Sequence, residues 1–403
     1  MIQPGSTLTL EIEKPAAGGR MLARHQGQVV LVWNAIPGER VTARVERTGK
    51  GVLYAETADV LNPSPDRRPA ADWRCGGTVY AHIAYPRQQA LKAEIVRDAF
   101  GRIGRVPLEH APDVVAGDEA GYRMRARLHV RGGRIGFFRE GTHDLCDPEP
   151  TRQLLPSTIA WIRDVEAALG NERGIEAIEL AENVAGDRRA CYVDLRADAD
   201  AAGIAAKTTA LGGERRISDQ IDVGGAALTL RRDARAFFQG NRFLLTPLVR
   251  LVAGLVHGGP VVDLYAGVGL FGLSLAAAGA RQVTLVEGDP ISGVDLRDNA
   301  APFDRVRVER RSVEDFLSRS RAAADRPTFI VDPPRTGMSK AAIAGIIRAR
   351  PARIVYVSCD VATLARDTRA LIDAGYEFGG VTAVDLFPNT AHVEAVALFI
   401  DER

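Results

Sequence analysis

Residues 353–360 read Arg-Ile-Val-Tyr-Val-Ser-Cys-Asp, an apolar run that ends in a cysteine and an acid. A short apolar run bounded by polar residues is typical of a buried strand in a parallel sheet. Cys359 stands at the carboxyl end of this strand, where the loops of an open α/β sheet face a common crevice. A thiol there can contact a substrate, but a free cysteine taken alone is more often a small buried hydrophobe. Whether Cys359 has a catalytic or only a packing role therefore depends on the residues that the neighbouring strands carry.

Two further apolar runs carry carboxyl groups at comparable places. Residues 328–335 read Thr-Phe-Ile-Val-Asp-Pro-Pro-Arg, and the two prolines end the strand and stiffen the loop that carries Asp332. Residues 385–399 place Glu394 just before another apolar strand. Three strands thus offer a carboxylate, a thiol and a second carboxylate.

Three motifs in this order resemble the RNA 5-methyluridine methyltransferase family, which uses S-adenosylmethionine to methylate carbon 5 of uridine in RNA. The motifs are D-P-P-R (332–335), V-S-C-D followed by A-T-L-A-R-D (357–360 and 362–367), and L-F-P-N-T-A-H-V-E (386–394). The resemblance implies that Cys359 is a nucleophile that attacks carbon 6 of the uracil. It also implies that Glu394 is the base that removes the proton from carbon 5, and that Asp332 holds the polar edge of the ring.

The chain from about residue 243 alternates strand-like and helix-like segments, which is typical of a doubly wound parallel sheet. We expect an α/β fold in which 235–403 form a Rossmann-like methyltransferase domain, with the last two strands as a possible antiparallel edge. The expected strands are 261–264, 283–286, 306–309, 329–331, 354–357, a short one before Pro388, and 393–400.

A glycine-rich turn at 263–272 follows the first of these strands and opens a helix. Such a turn alone could serve NAD, FAD or S-adenosylmethionine. An acid at its start, Asp263, favours S-adenosylmethionine, whose methionine part carries an ammonium group, and Glu287 is placed to bind ribose hydroxyls. With the F-x-Q-x-N signature at 237–241, the predicted cofactor-binding residues are Gln239, Asp263, Tyr265, Gly267, Gly269, Glu287 and Asp332.

Residues 1–62 alternate at period two between turn signals, which predicts a small OB-type β-barrel. This stretch resembles the TRAM domain of RNA-modifying enzymes, and we expect it to bind RNA. A barrel that only assists folding or binds protein is the alternative.

Residues 63–234 are expected to form a central α+β domain that contains a basic strand at 122–131. Alternation sends every second residue to one face, and no acid occurs from 121 to 139. We therefore predict an RNA-binding face, although an ordinary solvated strand face would show the same alternation. The predicted RNA-binding residues are Arg123, Arg125, Arg127 and Arg131.

Four cysteines at positions 75, 146, 191 and 359 are too few and too scattered for a disulfide framework. Many members of the resembling family hold an iron–sulfur cluster with four cysteines. Cys75 and Cys146 fall at two of those positions and the other two cysteines are missing, so we predict no iron–sulfur cluster and no other metal. The two cysteines would then pack in the interior or pair with each other.

Composition sets broader limits. The chain has 403 residues, a formal net charge of +1, and no apolar run long enough to cross a membrane. We expect a cytoplasmic protein, a monomer, that binds RNA and no membrane.

Several alternatives remain open. The TRAM-like barrel favours 23S ribosomal RNA as substrate, with transfer RNA as the alternative. A cytosine-5 RNA methyltransferase usually has a second cysteine after the proline of its fourth-strand motif, which this chain lacks, and enzymes that methylate exocyclic amines have an aromatic residue where Arg335 stands. A non-enzymatic RNA-binding factor with the same scaffold is the remaining possibility.

Overall fold

A computed structural model of the protein describes residues 2–402 except 70–71, 171, 173, 198, 281 and 322–324. The strands are β1 (Thr7–Pro15), β2 (Met21–His25), β3 (Gln28–Trp33), β4 (Arg40–Gly49), β5 (Val52–Asn62), β6 (Val114–Val115), β7 (Arg125–Arg131), β8 (Arg134–Phe138), β9 (Leu145–Cys146), β10 (Ile175–Glu182), β11 (Arg189–Leu195), β12 (Gly213–Glu214), β13 (Arg216–Val223), β14 (Ala226–Asp233), β15 (Val261–Leu264), β16 (Val283–Glu287), β17 (Val306–Arg310), β18 (Thr328–Val331), β19 (Arg353–Ser358), β20 (Glu377–Val384) and β21 (Glu394–Ile400).

The helices connect and cover these strands. They are α1 (Tyr85–Ala99), α2 (Pro156–Leu169), α3 (Ala201–Ala210), α4 (Leu245–Leu255), α5 (Leu270–Ala277), α6 (Pro290–Ala300), α7 (Val313–Arg319), α8 (Lys340–Ala349) and α9 (Val361–Asp373), with short turns of other helix types at Ala17–Gly19, Phe100–Gly104 and Glu149–Thr151. No helix among the described residues has the length and apolar character needed to cross a membrane.

The N-terminal strands β1 to β5 close into a barrel, as predicted. Alternate residues of β1 point inward, so Leu8, Leu10 and Ile12 are buried and the residues between them are exposed. The buried carboxylate of Glu39 accepts hydrogen bonds from Arg67 at 2.6 and 2.7 Å, which fixes the segment after the barrel.

The central region is a six-stranded sheet in the order β12-β11-β10-β7-β8-β9. Helices α2 and α3 pack on one of its faces. The hairpin β13–β14 is separate from this sheet, and most of its apolar side chains belong to the core of the catalytic region, while Ile217 packs against the central sheet.

The catalytic sheet has eight strands in the order β17-β16-β15-β18-β19-β21-β20-β6. Strands β15 to β19 are mutually parallel where they pair, and the strand order reverses between β15 and β18. A ligand crevice is expected at the carboxyl ends of these two strands. The predicted α/β architecture with an N-terminal barrel is confirmed.

Two details of the sheet differ from the prediction. The last two strands, β20 and β21, pair antiparallel as expected, but β21 also pairs with β19 and so lies inside the sheet, where its residues are almost all buried. The predicted short strand before Pro388 is the eight-residue β20, and β6 from the middle of the chain pairs along its outer side.

Segments 63–234 do not pack as one unit. Val96, Ala99 and Phe100 of the α1 region share a core with the catalytic sheet, and the β13–β14 hairpin covers its other side. Composition and periodicity identify an amphipathic helix, but they do not tell which core it covers.

Candidate active site

Three strand ends bring a thiol and two carboxyl groups to one edge of the catalytic sheet. Asp332 follows β18, Cys359 follows β19, and Glu394 begins β21. Because β18 is parallel to β19 and β21 is antiparallel to it, the ends of the first two and the start of the third lie at the same edge. The structure therefore brings together the three residues that the sequence motifs had grouped.

Asp332 and Glu394 form an electrostatically coupled pair. Burial and the Asp332 carboxylate raise the pKa of Glu394 well above its usual value, and the Arg335 guanidinium opposes that rise. Burial also raises the pKa of Asp332, although the hydrogen bond from Gln239 Nε2 to Asp332 Oδ2, at 3.2 Å, favours the ionised form. Because both carboxyl groups are buried and each lies in the field of the other, ionisation of both at once is disfavoured.

The Cys359 side chain is half-buried and faces this pair. Burial and the neighbouring Glu394 carboxyl raise the pKa of the thiol to about 11, and the Arg335 guanidinium opposes that rise through its charge and a hydrogen bond. Arg335 is thus the group that favours a thiolate at this position. The sequence alone assigned no catalytic role to Arg335. Its position in D-P-P-R, three residues after Asp332, could have indicated a positive charge close to the site.

The loop at 385–393, which leads into Glu394, is held by buried polar side chains of α1. Lys92 is fully buried and donates to the Asp385 carboxylate and to a backbone carbonyl of the loop. Gln88 accepts from the backbone N–H of Asn389 at 2.8 Å and donates to its side-chain oxygen at 2.9 Å. Sequence reasoning missed these partners, because a lysine in a helix gives no sign that it will be buried.

At the crevice between β15 and β18, Asp263 is fully buried. Its Oδ2 accepts a hydrogen bond from the backbone N–H of Gly272 at 2.8 Å, and its Oδ1 has no partner among the described residues. Burial raises the pKa of Asp263 to about 8, with smaller contributions from the Asp332 and Glu287 carboxylates. A buried carboxyl oxygen without a partner is a ready acceptor for a cationic ligand group.

The turn after Asp263 has the backbone needed for a close ligand. Tyr265, Gly267 and Gly269 have φ values of 62°, 57° and 101°, in the left-handed region that favours glycine. A Cβ on Gly267 would meet only the Phe237 carbonyl, at 4.0 Å, so open space lies above this turn. The Glu287 carboxylate accepts from the Gly267 N–H at 2.7 Å and fixes the turn from the end of β16.

The predicted basic strand keeps its alternation, but the charge of one of its arginines, Arg127, is compensated. Arg127 forms ion pairs with Glu179 of the neighbouring strand β10, at 2.6 Å, and with Asp194 of β11, the next strand beyond it, at 2.7 Å. Arg123 is partly buried and donates to Gln153 at 2.6 Å. No acid occurs along 121–139, but acids of β10 and β11, which are distant in the sequence, neutralise Arg127.

The other two arginines of that strand differ from these. Arg125 is partly buried, with its guanidinium 5.7 Å from the centre of the Phe237 ring. Arg131 is exposed and lies 5.7 Å from the centre of the Phe138 ring. Neither forms an ion pair with any described residue.

Cys75 and Cys146 form a disulfide, which decides between the two possibilities that the sequence left open. Their side chains lie in the core of the central region. Within the described part of the chain, no group of three or more His, Cys, Asp or Glu side chains is arranged to hold a metal ion.

Comparisons with known families match both parts of the chain. The model of the family described as tRNA (uracil-5-)-methyltransferase matches residues 194–402, and the TRAM domain model matches residues 3–58.

Relatives match over nearly the whole chain. A 23S rRNA (uracil(1939)-C(5))-methyltransferase of Pseudomonas entomophila is 30% identical over 99% of this chain and 94% of its own length. An uncharacterized RNA methyltransferase of Streptomyces coelicolor is 32% identical over 98% of this chain and 93% of its own length. The crystal structure of Pyrococcus abyssi tRNA (uracil-54, C5)-methyltransferase in complex with S-adenosyl-L-homocysteine has a TM-score of 0.75 at 23% identity, and covers 98% of this chain and 100% of that chain. The last match shows that the two proteins share a fold.

We predict that Asp263→Asn changes the pH dependence of stability of the ligand-free protein. The folded-state pKa of Asp263 lies above its unfolded value of about 4, so the folded protein loses stability as pH rises from there to about 8. Relative to the Asn variant, the wild type should lose about 1.4 kcal/mol of unfolding free energy per pH unit in this window. Urea unfolding at several pH values measures the difference.

The exposed carboxylate of Asp304 provides the matched control. Asp304→Asn should leave the pH dependence of the wild type unchanged. Parallel stability curves for the wild type and Asp263→Asn would contradict the assignment of a buried, protonated Asp263.

Proposed function

The chain belongs to the tRNA (uracil-5-)-methyltransferase family, and from this membership we propose that it methylates carbon 5 of uridine in 23S ribosomal RNA through a covalent bond to Cys359. The observation that carries this proposal is the meeting of the Cys359 thiol with the buried carboxyl groups of Asp332 and Glu394 at one sheet edge. A thiol and a base at one site are what covalent activation of a pyrimidine ring needs.

The residues at the β15 crevice fit S-adenosylmethionine. The unpartnered Oδ1 of Asp263 would accept from the ammonium group of its methionine part, and Glu287 would bind the ribose hydroxyls. Gly267 and Gly269 would let the ligand approach the backbone closely. When bound, this cofactor supplies an electrophilic methyl group on a sulfonium.

Cys359 starts the reaction. Its thiol loses a proton to water, with Arg335 stabilising the thiolate, and the sulfur forms a bond to carbon 6 of the uracil. The π electrons of the C5–C6 bond move toward carbon 5 and oxygen 4 as an enolate. Carbon 5, which is a poor nucleophile in free uracil, can then accept the methyl group.

Glu394 completes the reaction. As a carboxylate it removes the remaining proton from carbon 5, the electrons of that C–H bond re-form the C5–C6 double bond, and the sulfur leaves as a thiolate. Glu394 must therefore ionise before this step, which the charge of Arg335 favours.

Asp332 and Gln239 would orient the uracil ring. Their hydrogen bond couples them, and Pro333 and Pro334 restrict the loop that carries Asp332. Phe237, two residues before Gln239, is 58% exposed and offers a flat apolar surface to a base that has turned out of its stack.

The choice of ribosomal RNA rests on the likeness to one relative, while the barrel supports binding of RNA of either kind. The Pseudomonas entomophila relative is named for 23S rRNA and aligns over almost its entire length. The barrel carries paired arginine and aromatic side chains suited to single-stranded RNA, such as the Arg47 guanidinium 3.4 Å from the centre of the Tyr54 ring. Transfer RNA, which the family description names, is the second candidate.

Nucleotide-resolution mapping of 5-methyluridine tests both the activity and the substrate. RNA from cells that lack this protein should lose 5-methyluridine at one or more 23S positions, and expression of the wild type should restore it. Cys359→Ala should bind the cofactor normally and restore nothing. Loss from transfer RNA alone would contradict the ribosomal substrate, and no loss from any RNA would contradict the proposed function.

Glu394→Gln should stop the reaction after methyl transfer. The amide cannot take up the carbon 5 proton, so turnover should fall by about 10²- to 10⁴-fold and a protein–RNA adduct carrying the transferred methyl group should survive denaturation with detergent. Gel electrophoresis with labelled cofactor measures this adduct. The exposed Glu377 gives a control, since Glu377→Gln should turn over normally without adduct. Wild-type turnover in Glu394→Gln would exclude Glu394 as the base.

A further inference from the structure

The central sheet is covered by helices on one face only. Leu128 and Ile178 lie on the covered face, in the same core as α2 and α3. On the opposite face, the end of the sheet nearest the catalytic region is covered by Ile217 of the β13–β14 hairpin. Farther along that face, His129 and Phe138 remain partly exposed. An exposed sheet face with aromatic residues is a common surface for single-stranded RNA.

Phe138 and His129 form a stack of parallel rings on this open face. Their ring centres are 3.6 Å apart and the ring planes differ by 5°. His143 meets Phe138 edge-on, with ring centres 5.2 Å apart. Two parallel rings in contact, with part of their surface open to solvent, can extend their stack by one nucleobase.

The charges around this stack suit a neutral base beside an anionic backbone. Burial and the positive charges of Arg127 and Arg131 lower the pKa of His129, so the stacked imidazole is neutral. The Arg127 ion pairs with Glu179 and Asp194 cancel the acids of this face. Arg131, exposed beside the stack, is left to contact a phosphate.

The stack lies on the strand that leads to the active site. His129 and Arg125 are four residues apart on β7 and point to the same face, a separation of about 13 Å. The Arg125 guanidinium lies over the ring of Phe237, two residues before Gln239 of the active site, and its buried Nε has no hydrogen-bond partner among the described residues. A strand with its target base in the active site can therefore reach the stack within a few nucleotides.

We propose that Phe138 and His129 form a base-stacking site for a nucleotide of single-stranded RNA that flanks the target uridine, with Arg131 contacting the adjoining phosphate. This inference rests on the proposed action on RNA. The sequence pattern predicted that four arginines of the basic strand bind RNA. The stack instead assigns the base contact to two aromatic side chains, Phe138 and His129.

Binding of a short fluorescein-labelled oligouridine RNA to the full-length protein, measured by anisotropy over a range of salt concentrations, tests the proposal. Phe138→Leu should weaken binding about tenfold, the loss expected for one stacked base, with the salt dependence unchanged because no charge is removed. Phe138→Tyr keeps a ring at the same position and should bind as the wild type does. Arg131→Gln should lower the slope of log affinity against log salt by about 0.7.

Two controls separate stacking from damage to the fold. Phe303→Leu changes a partly buried aromatic of the catalytic region and should leave RNA affinity unchanged, and every variant should keep its cofactor affinity and melting temperature. Equal RNA affinity of Phe138→Leu and the wild type, or a smaller salt slope in that variant, would overturn the proposal. The binding assay needs no methyl transfer. A wild type that forms no 5-methyluridine would therefore contradict the proposed function without deciding whether Phe138 and His129 bind a base.

Discussion

The site depends on the exclusion of water from three carboxyl groups, those of Asp263, Asp332 and Glu394. All three have raised pKa values, chiefly because burial disfavours their charged forms. Carboxylates this close in a poorly solvated space cannot all ionise unless a cation is present. Arg335 supplies one positive charge, and a bound sulfonium cofactor with its ammonium group would supply two more. Ligand binding and ionisation of the catalytic groups are thereby linked.

This electrostatic arrangement requires a rigid frame, which buried arginine and lysine side chains provide. Lys92 fixes the loop before Glu394 from α1. Arg242 is buried between the central and catalytic regions, where it pairs with Glu182 and donates to the Gly121 carbonyl at 2.8 Å. Removing one partner of such a pair would leave an unpaired buried charge, which is far more destabilising than losing a surface pair. Arg242 thus ties the central sheet, which carries the stack, to the segment that leads into the catalytic region.

The sequence predicts the site well wherever a residue ends or begins an apolar strand. Asp332 and Cys359 could be placed together because the carboxyl ends of parallel strands share an edge, and the family motif added Glu394, which reaches that edge because β21 is antiparallel and begins there. The glycine turn could be placed because its backbone requires glycine. The compensation of Arg127 could not be predicted, since its partners lie on strands distant in the sequence. The buried position of Lys92 and the place of β21 inside the sheet likewise follow from tertiary packing, which local patterns do not encode.

The transient bond between Cys359 and carbon 6 of a uridine is the central claim, and RNA that contains 5-fluorouridine tests it most directly. Fluorine at carbon 5 cannot leave as a proton, so a methylated adduct should accumulate when the protein, S-adenosylmethionine and this RNA are incubated together. Mass spectrometry after digestion should find a methylated fluorouridine nucleotide on the peptide that contains Cys359. An adduct on another residue, or normal methylation of ordinary RNA by Cys359→Ser without any adduct, would contradict the account.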